Sequence, residues 1–177
     1  DTPKGYDPKQ HSVQNAIKRI KEDGGRCVKI FVENGFGNQS HWAMPSKKIL
    51  SEIINTAKKE GLRVYAHANA FDMQKIAVNL DVDVMAHGMW NWNQFSGQSS
   101  VPSEIKDLLN QIIDKKIDFQ PTMRVIEGVR DLFKDDVLED VLMKKAVPSE
   151  LLSWYHSDEA KWFKEEIRSD GFENTPN

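Results

Sequence analysis

The chain has 177 residues, 39% hydrophobic and 29% charged, with a formal net charge of −3. That length fits about one domain and suffices to bury a substantial core, while the interspersed charges leave no basic footprint for nucleic acid or an anionic membrane. No run of about 18 apolar residues is present to span a bilayer, and a single cysteine, Cys27, excludes an internal disulfide framework and a cysteine-rich zinc site. The polar start, Asp1-Thr2-Pro3-Lys4-Gly5, does not read as a signal peptide, and beginning at Asp rather than Met fits a processed or trimmed product. The composition does not specify a compartment.

Residues 1–11 read as a loose, Pro- and Lys-containing segment, 12–170 as one domain and 171–177 as a polar tail. Ser12 is placed to cap a helix whose face carries Val13, Ile17 and Ile20 and which stops at Gly24-Gly25. Arg26 to Val32 is a short run of strand formers, followed by a loop over 33–44. After Pro45, Ile49, Leu50, Ile53, Ile54 and Ala57 recur at helical spacing, and Gly61 stands where a helix-ending glycine belongs. Two more strands follow, Leu62 to Ala68 and Val82 to Ala86, with a short helix over 71–80 between them. A long loop runs from His87 to Val101 before a helix carrying Ile105, Leu108, Leu109, Ile112 and Ile113. A fourth strand, Ile117 to Gln120, ends at Pro121, and 125–168 reads as mostly helical with breaks near Asp135 and Pro148. The last helix carries Leu151, Trp154, Trp162, Phe163 and Ile167, which helical spacing marks as core. Strands alternating with helices imply βαβ units and a parallel sheet, with chemistry at the C-terminal strand ends.

That rule selects Lys29 inside the first strand, His67 near the end of the second and His87 just past the third. His67 and His87 are 20 residues apart, and Lys29 and His67 38, each one crossover unit. Parallel neighbours place the three on one rim if their facing agrees. A lysine in an apolar strand is costly unless paired or chemically changed, and two imidazoles suit Zn²⁺ or a related cation. Each has a structural alternative: hydrogen-bonded histidines at a strand rim, and an outward edge lysine that protects solubility.

Four segments in order, CVKIFVENGFG, KEGLRVYAHAN, NLDVDVMAHG and IDFQPTM, resemble the amidohydrolase superfamily, in particular its imidazolonepropionase-like and prolidase-like metal-dependent hydrolases. The resemblance covers Gly25 to Met123. It implies an α/β fold, a partial (β/α)8 TIM barrel supplying strands four to seven. It also implies that Lys29, in carboxylated form, bridges two divalent metals, zinc above all, while His67 and His87 bind the second. Carboxylation turns the ammonium into an anionic carbamate, which explains a lysine facing metal. The implied reaction is hydrolysis of a C–N bond in an amide, dipeptide or cyclic amide by metal-activated water.

The sequence departs from that pattern. It has no His-x-His of a first strand and no eighth-strand Asp to take the water's proton, so no catalytic residue is assigned; Asp158 and Asp170 fall in helical or tail sequence. The chain therefore reads as a piece of a larger enzyme, whether cloned, proteolytic or naturally split, with little metal and no hydrolysis by itself. Its two unpaired parallel edges call for a homo-oligomer or a complementing barrel chain. Trp90 and Trp92 are candidates to wall a substrate pocket or to cover the rim, and Arg124 to hold a substrate carboxylate or to be a surface arginine. Asn69 is expected to cap the helix after it, and Cys27 to be a small buried apolar residue. Gly35 to Ser40 lacks the third glycine of a dinucleotide loop and reads as a loop over an active site, and His11, His41 and His156 are incidental. The other class of function is a non-catalytic α/β binding or interaction module without metal, favoured if the three nitrogen-bearing side chains diverge.

Overall fold

The structure, a computed structural model, describes residues 5, 7–35 and 42–169, apart from the side chains of Ile126 and Asp135. The tip of the loop at 36–41, with His41, and the tail from 170 lie outside the described residues. Two compact units result, divided between Pro121 and Thr122, inside the span that the sequence reads as one domain.

The first unit alternates helices and strands: α1 (Val13–Glu22), β1 (Cys27–Phe31), α2 (Lys47–Lys59), β2 (Arg63–His67), α3 (Phe71–Asn79), β3 (Val84–Met85), α4 (Ser103–Asp114) and β4 (Asp118–Phe119). Local chemistry sets the boundaries. The Ser12 and Ser46 hydroxyls accept from the Asn15 and Ile49 amides at 3.3 Å, capping α1 and α2. Gly61, at φ 72°, takes the left-handed turn that ends α2. The four strands are all parallel in the order β1-β2-β3-β4. This is the α/β arrangement expected from the alternating pattern, with the last two strands only two residues long.

One face of the sheet is buried under helices. Val28, Ile30, Val64 and Ala66 share a cluster with Ile17, Leu50, Ile54, Ile105, Leu108 and Ile112. Strand β1 alternates strictly, so Cys27, Lys29 and Phe31 face the open side, and Phe31 is 46% exposed. Cys27 is therefore exposed, not the buried apolar residue expected, because a one-residue offset along a strand reverses facing. Arg63, on the same open face, reaches Asp118 at 2.5 Å and ties β2 to β4 across β3. Among the described residues, no helix is long and apolar enough to cross a membrane.

The second unit comprises α5 (Met123–Asp131), α6 (Asp135–Leu138), α7 (Val141–Ala146), α8 (Ser149–Tyr155) and α9 (Lys161–Ser169). The breaks fall near Asp135 and Pro148 as expected, but the last predicted helix is two. The Ser157 hydroxyl donates to the Trp154 carbonyl at 2.7 Å and closes α8. The core assignment of its aromatics is corrected as well: Trp154 and Phe163 are half-buried with ring centroids 5.8 Å apart, while Trp162 is exposed, because the helix is interrupted between Tyr155 and Lys161 and one helical spacing does not run through all three. Asp131, buried, is ringed by Arg124 at 2.8 Å, Lys134 at 3.3 Å and Arg130 at 3.6 Å.

Candidate metal centre

The register of β1 and β2 builds the site from its first layer upward. Lys29 lies level with Tyr65 and Phe31 level with His67, all four on the open face. The flat Phe31 ring stacks on the His67 imidazole at 4.2 Å and 14°. His87, two residues past β3, meets His67 edge to face with ring centroids 4.8 Å apart. Trp90 flanks His87 at 5.7 Å and Trp42 flanks Phe31 at 6.1 Å. Five rings thus run along the rim, with the two imidazoles at the centre. Phe31 and Trp42 were not singled out as site residues; the signal for Phe31 was its two-residue offset from Lys29, which puts both on one face.

Electrostatics sharpens the pairing. Burial, then the neighbouring His87 and then the Lys29 ammonium, lower the His67 pKa to about 4. Burial and Lys29 likewise lower that of His87. Both rings are thus neutral near pH 7, and both feel the charge of Lys29. The three residues named from the sequence therefore share one neighbourhood.

Main-chain contacts hold the rim. The Val32 amide donates to the His67 carbonyl at 2.8 Å, and the Trp90 and Asn91 amides donate to the Asn69 carbonyl at 3.0 and 3.2 Å. Gly88 donates to the Pro121 carbonyl at 3.0 Å and is buried. A Cβ there would lie 2.7 Å from that oxygen and 3.1 Å from Trp90 Nε1. Gly88→Ala is accordingly expected to destabilise the first unit by about 1–3 kcal/mol, measured as a lower urea midpoint with unchanged slope.

The remaining candidates divide. Trp90 lies beside His87, and its indole Nε1 is buried without a hydrogen-bond partner among the described residues. Trp92 packs against the hydrophobic core instead. Arg124 belongs to the second unit, where Asp131 engages it. The expectation that Asn69 caps α3 is corrected: Ala70 holds the cap position without a side-chain bond, and the Asn69 amide, 3% exposed, has neither polar atom paired among the described residues. The carboxylate that does the capping is Glu33, which the sequence reading passed over; its Oε2 accepts from the Asn69 and Ala70 amides at 2.7 and 3.2 Å.

The donor set fits a nitrogen-loving divalent cation in part. Two neutral imidazoles converge, and a carbamate on Lys29 would add an anionic oxygen donor. Among the described residues, no group of three or more His, Cys, Asp or Glu side chains could hold a metal ion.

No family profile matches the chain, and no curated protein matches it. Among solved structures it is similar to a Xaa-Pro dipeptidase with methionine bound in the active site (17% identity, TM-score 0.51). It is also similar to an amidohydrolase (16%, 0.52) and to an uncharacterized protein (15%, 0.52). Each likeness covers 90% of this chain but only 36%, 34% and 35% of the other. The chain spans about a third of the length of these proteins and shares its α/β fold with a portion of each.

Proposed function

We propose that this chain forms the part of a metal-dependent amidohydrolase barrel that carries the bridging lysine and two histidine ligands, the whole hydrolysing a C–N bond in a small amide or peptide-like substrate. The observation that carries the reading is the edge-to-face meeting of His67 and His87, delivered by adjacent parallel strands and both within the field of Lys29. The fold shared with part of an amidohydrolase and a Xaa-Pro dipeptidase supports it, and the methionine bound by the latter fits a small, amino-acid-like substrate.

In this reading His67 and His87 would hold the cation through neutral nitrogens, and Lys29 would join them as a carbamate. A divalent cation held there, zinc for preference, would supply Lewis acidity toward a water and the scissile carbonyl. Trp90 walls the pocket beside His87, and its buried N–H is available to a substrate oxygen. Trp92 supports that wall from the core side. Arg124 would take a substrate carboxylate only in exchange for Asp131. The outer strands β1 and β4 each pair on one side only among the described residues, which fits completion by further barrel or by a second copy.

Cobalt is the probe of choice for the site. Titrated into the chain, Co²⁺ is expected to bind weakly, with a dissociation constant above about 1 µM because half of the ligand set is missing, and to shift the ring resonances of His67 and His87 together. No dipeptide hydrolysis is expected from the chain alone. Absence of any shift at these rings up to millimolar metal would overturn the metal reading in favour of the non-catalytic module, which the lack of a cluster of three His, Cys, Asp or Glu donors among the described residues favours.

A further inference from the structure

We infer that Glu33 is the positioning residue of the histidine pair: one buried carboxylate fixes the chain just after His67 and, through it, the loop that begins at His87. The inference rests on the metal reading for its purpose but on main-chain geometry for its content.

Glu33 is 2% exposed, lies two residues beyond the end of β1, and has no salt-bridge partner among the described residues. A buried carboxylate is costly to desolvate, and here burial raises its pKa. What offsets that cost is a set of main-chain donors. Its Oε2 accepts from Asn69, 36 residues away, and from Ala70, and the Asn34 amide also stabilises the anion. Asn69 and Ala70 open α3, whose cap residue offers no acceptor of its own, so the carboxylate serves the positive end of that helix from another strand.

The contact fixes more than a helix start. Asn69 stands two residues beyond His67, whose carbonyl is already held by Val32, the residue before Glu33. The β1 extension therefore grips the chain at His67 and again at 69 and 70. From Asn69 the clamp passes on, because its carbonyl accepts from the Trp90 and Asn91 amides, in the loop that begins at His87. A single side chain thereby ties β1 to the loop after β2 and, through one residue's main chain, to the loop after β3. The separation of the two imidazoles depends on that tie, and a cation held by both is sensitive to shifts well under 1 Å. A carboxylate suits the task because one oxygen can accept two N–H groups at once.

Glu33→Ala and Glu33→Gln, made in the full chain, test this. By NMR, Glu33→Ala is expected to lower hydrogen-exchange protection at the Asn69 and Ala70 amides by at least about tenfold and to erase the cross-peaks between the His67 and His87 rings. The β1–β2 amides stay protected, which reports an intact sheet. Cobalt affinity falls by about tenfold or more, with an altered visible absorption spectrum. Glu33→Gln, whose amide oxygen still accepts, restores most of both signals, and on a His67→Ala background Glu33→Ala costs no further affinity. Unchanged ring cross-peaks and protection in folded Glu33→Ala would overturn the inference. Should Glu33→Ala not fold, Glu33→Asp, which keeps the charge but shortens the reach, takes its place: faster exchange at 69 and 70 with the β1–β2 amides still protected supports the inference, and wild-type exchange with unchanged ring cross-peaks overturns it. A wild-type chain that takes no cobalt at the two rings defeats the metal reading alone, since the exchange and cross-peak measurements still decide the role of Glu33.

Discussion

Replacing His67 and His87 together by glutamine is expected to weaken Co²⁺ or Zn²⁺ binding by about 100-fold or more, the largest effect of any change in this chain. Glutamine keeps polarity and most of the volume but removes the ring nitrogen lone pair. Each single replacement should cost part of that loss, because the remaining imidazole is a lone ligand. His156, whose Nε2 is 3.5 Å from Glu139 in the second unit, serves as the control, and its replacement is expected to leave affinity unchanged. The stacking of Phe31 on His67 gives the double variant a stability cost of about 1 kcal/mol, read separately by urea unfolding. Equal metal uptake by the wild-type chain and the double variant would remove the pair from any ligand role. Isothermal titration together with the cobalt spectrum distinguishes these outcomes.

The second large effect is on pH. The folded pKa of His67 lies at about 4, below the ordinary imidazole value of 6.5. A proton therefore binds the unfolded chain more readily than the folded one. The stability contribution is complete above pH 6.5, is lost as pH falls from 6.5 toward 4, and does not fall further below that. The shift corresponds to at most about 3 kcal/mol, and less is expected because the rim is open to solvent on one side. Lowered His87 acts in the same direction. Glu33 opposes both: its pKa is raised, so the folded chain binds its proton more readily and acidification through its folded pKa favours folding. Urea midpoints measured from pH 7.5 to 4 should fall overall, and His67→Gln should flatten the curve. Metal binding follows the same ring: because protonation is deferred, cobalt at the pair should persist to lower pH than on free imidazole. A profile that is flat between pH 6.5 and 4.5 and unaffected by His67→Gln would contradict the burial of that ring.

Much of the architecture was visible as periodicity. Ile49, Leu50, Ile53, Ile54 and Ala57 mark α2, and the runs around Val28, Val64 and Val84 mark strands, because a 3.6-residue or two-residue repeat of apolar side chains is a local property. Ser12 and Gly61 were legible for the same reason, since a cap depends on neighbours a few residues away. The split between α8 and α9 was not, because no proline or glycine marks it and the break depends on a side chain bonding back to a carbonyl. Candidate ligands were found by a topological rule, strand ends in a parallel sheet, which needs only the order of elements.

Residue order alone thus carried the alternation of strands and helices, their parallel pairing, and the choice of Lys29, His67 and His87. Facing and long-range pairing did not follow from it. Cys27 lies on the open face, the Asn69 side chain finds no polar partner among the described residues, and Glu33 takes the main-chain amides of residues 36 and 37 positions away. The physical reason is range. Periodicity and capping are settled within a turn or a pleat, whereas the register of two strands, and the burial of one carboxylate beneath two loops, depend on the whole sheet being assembled before those groups can meet.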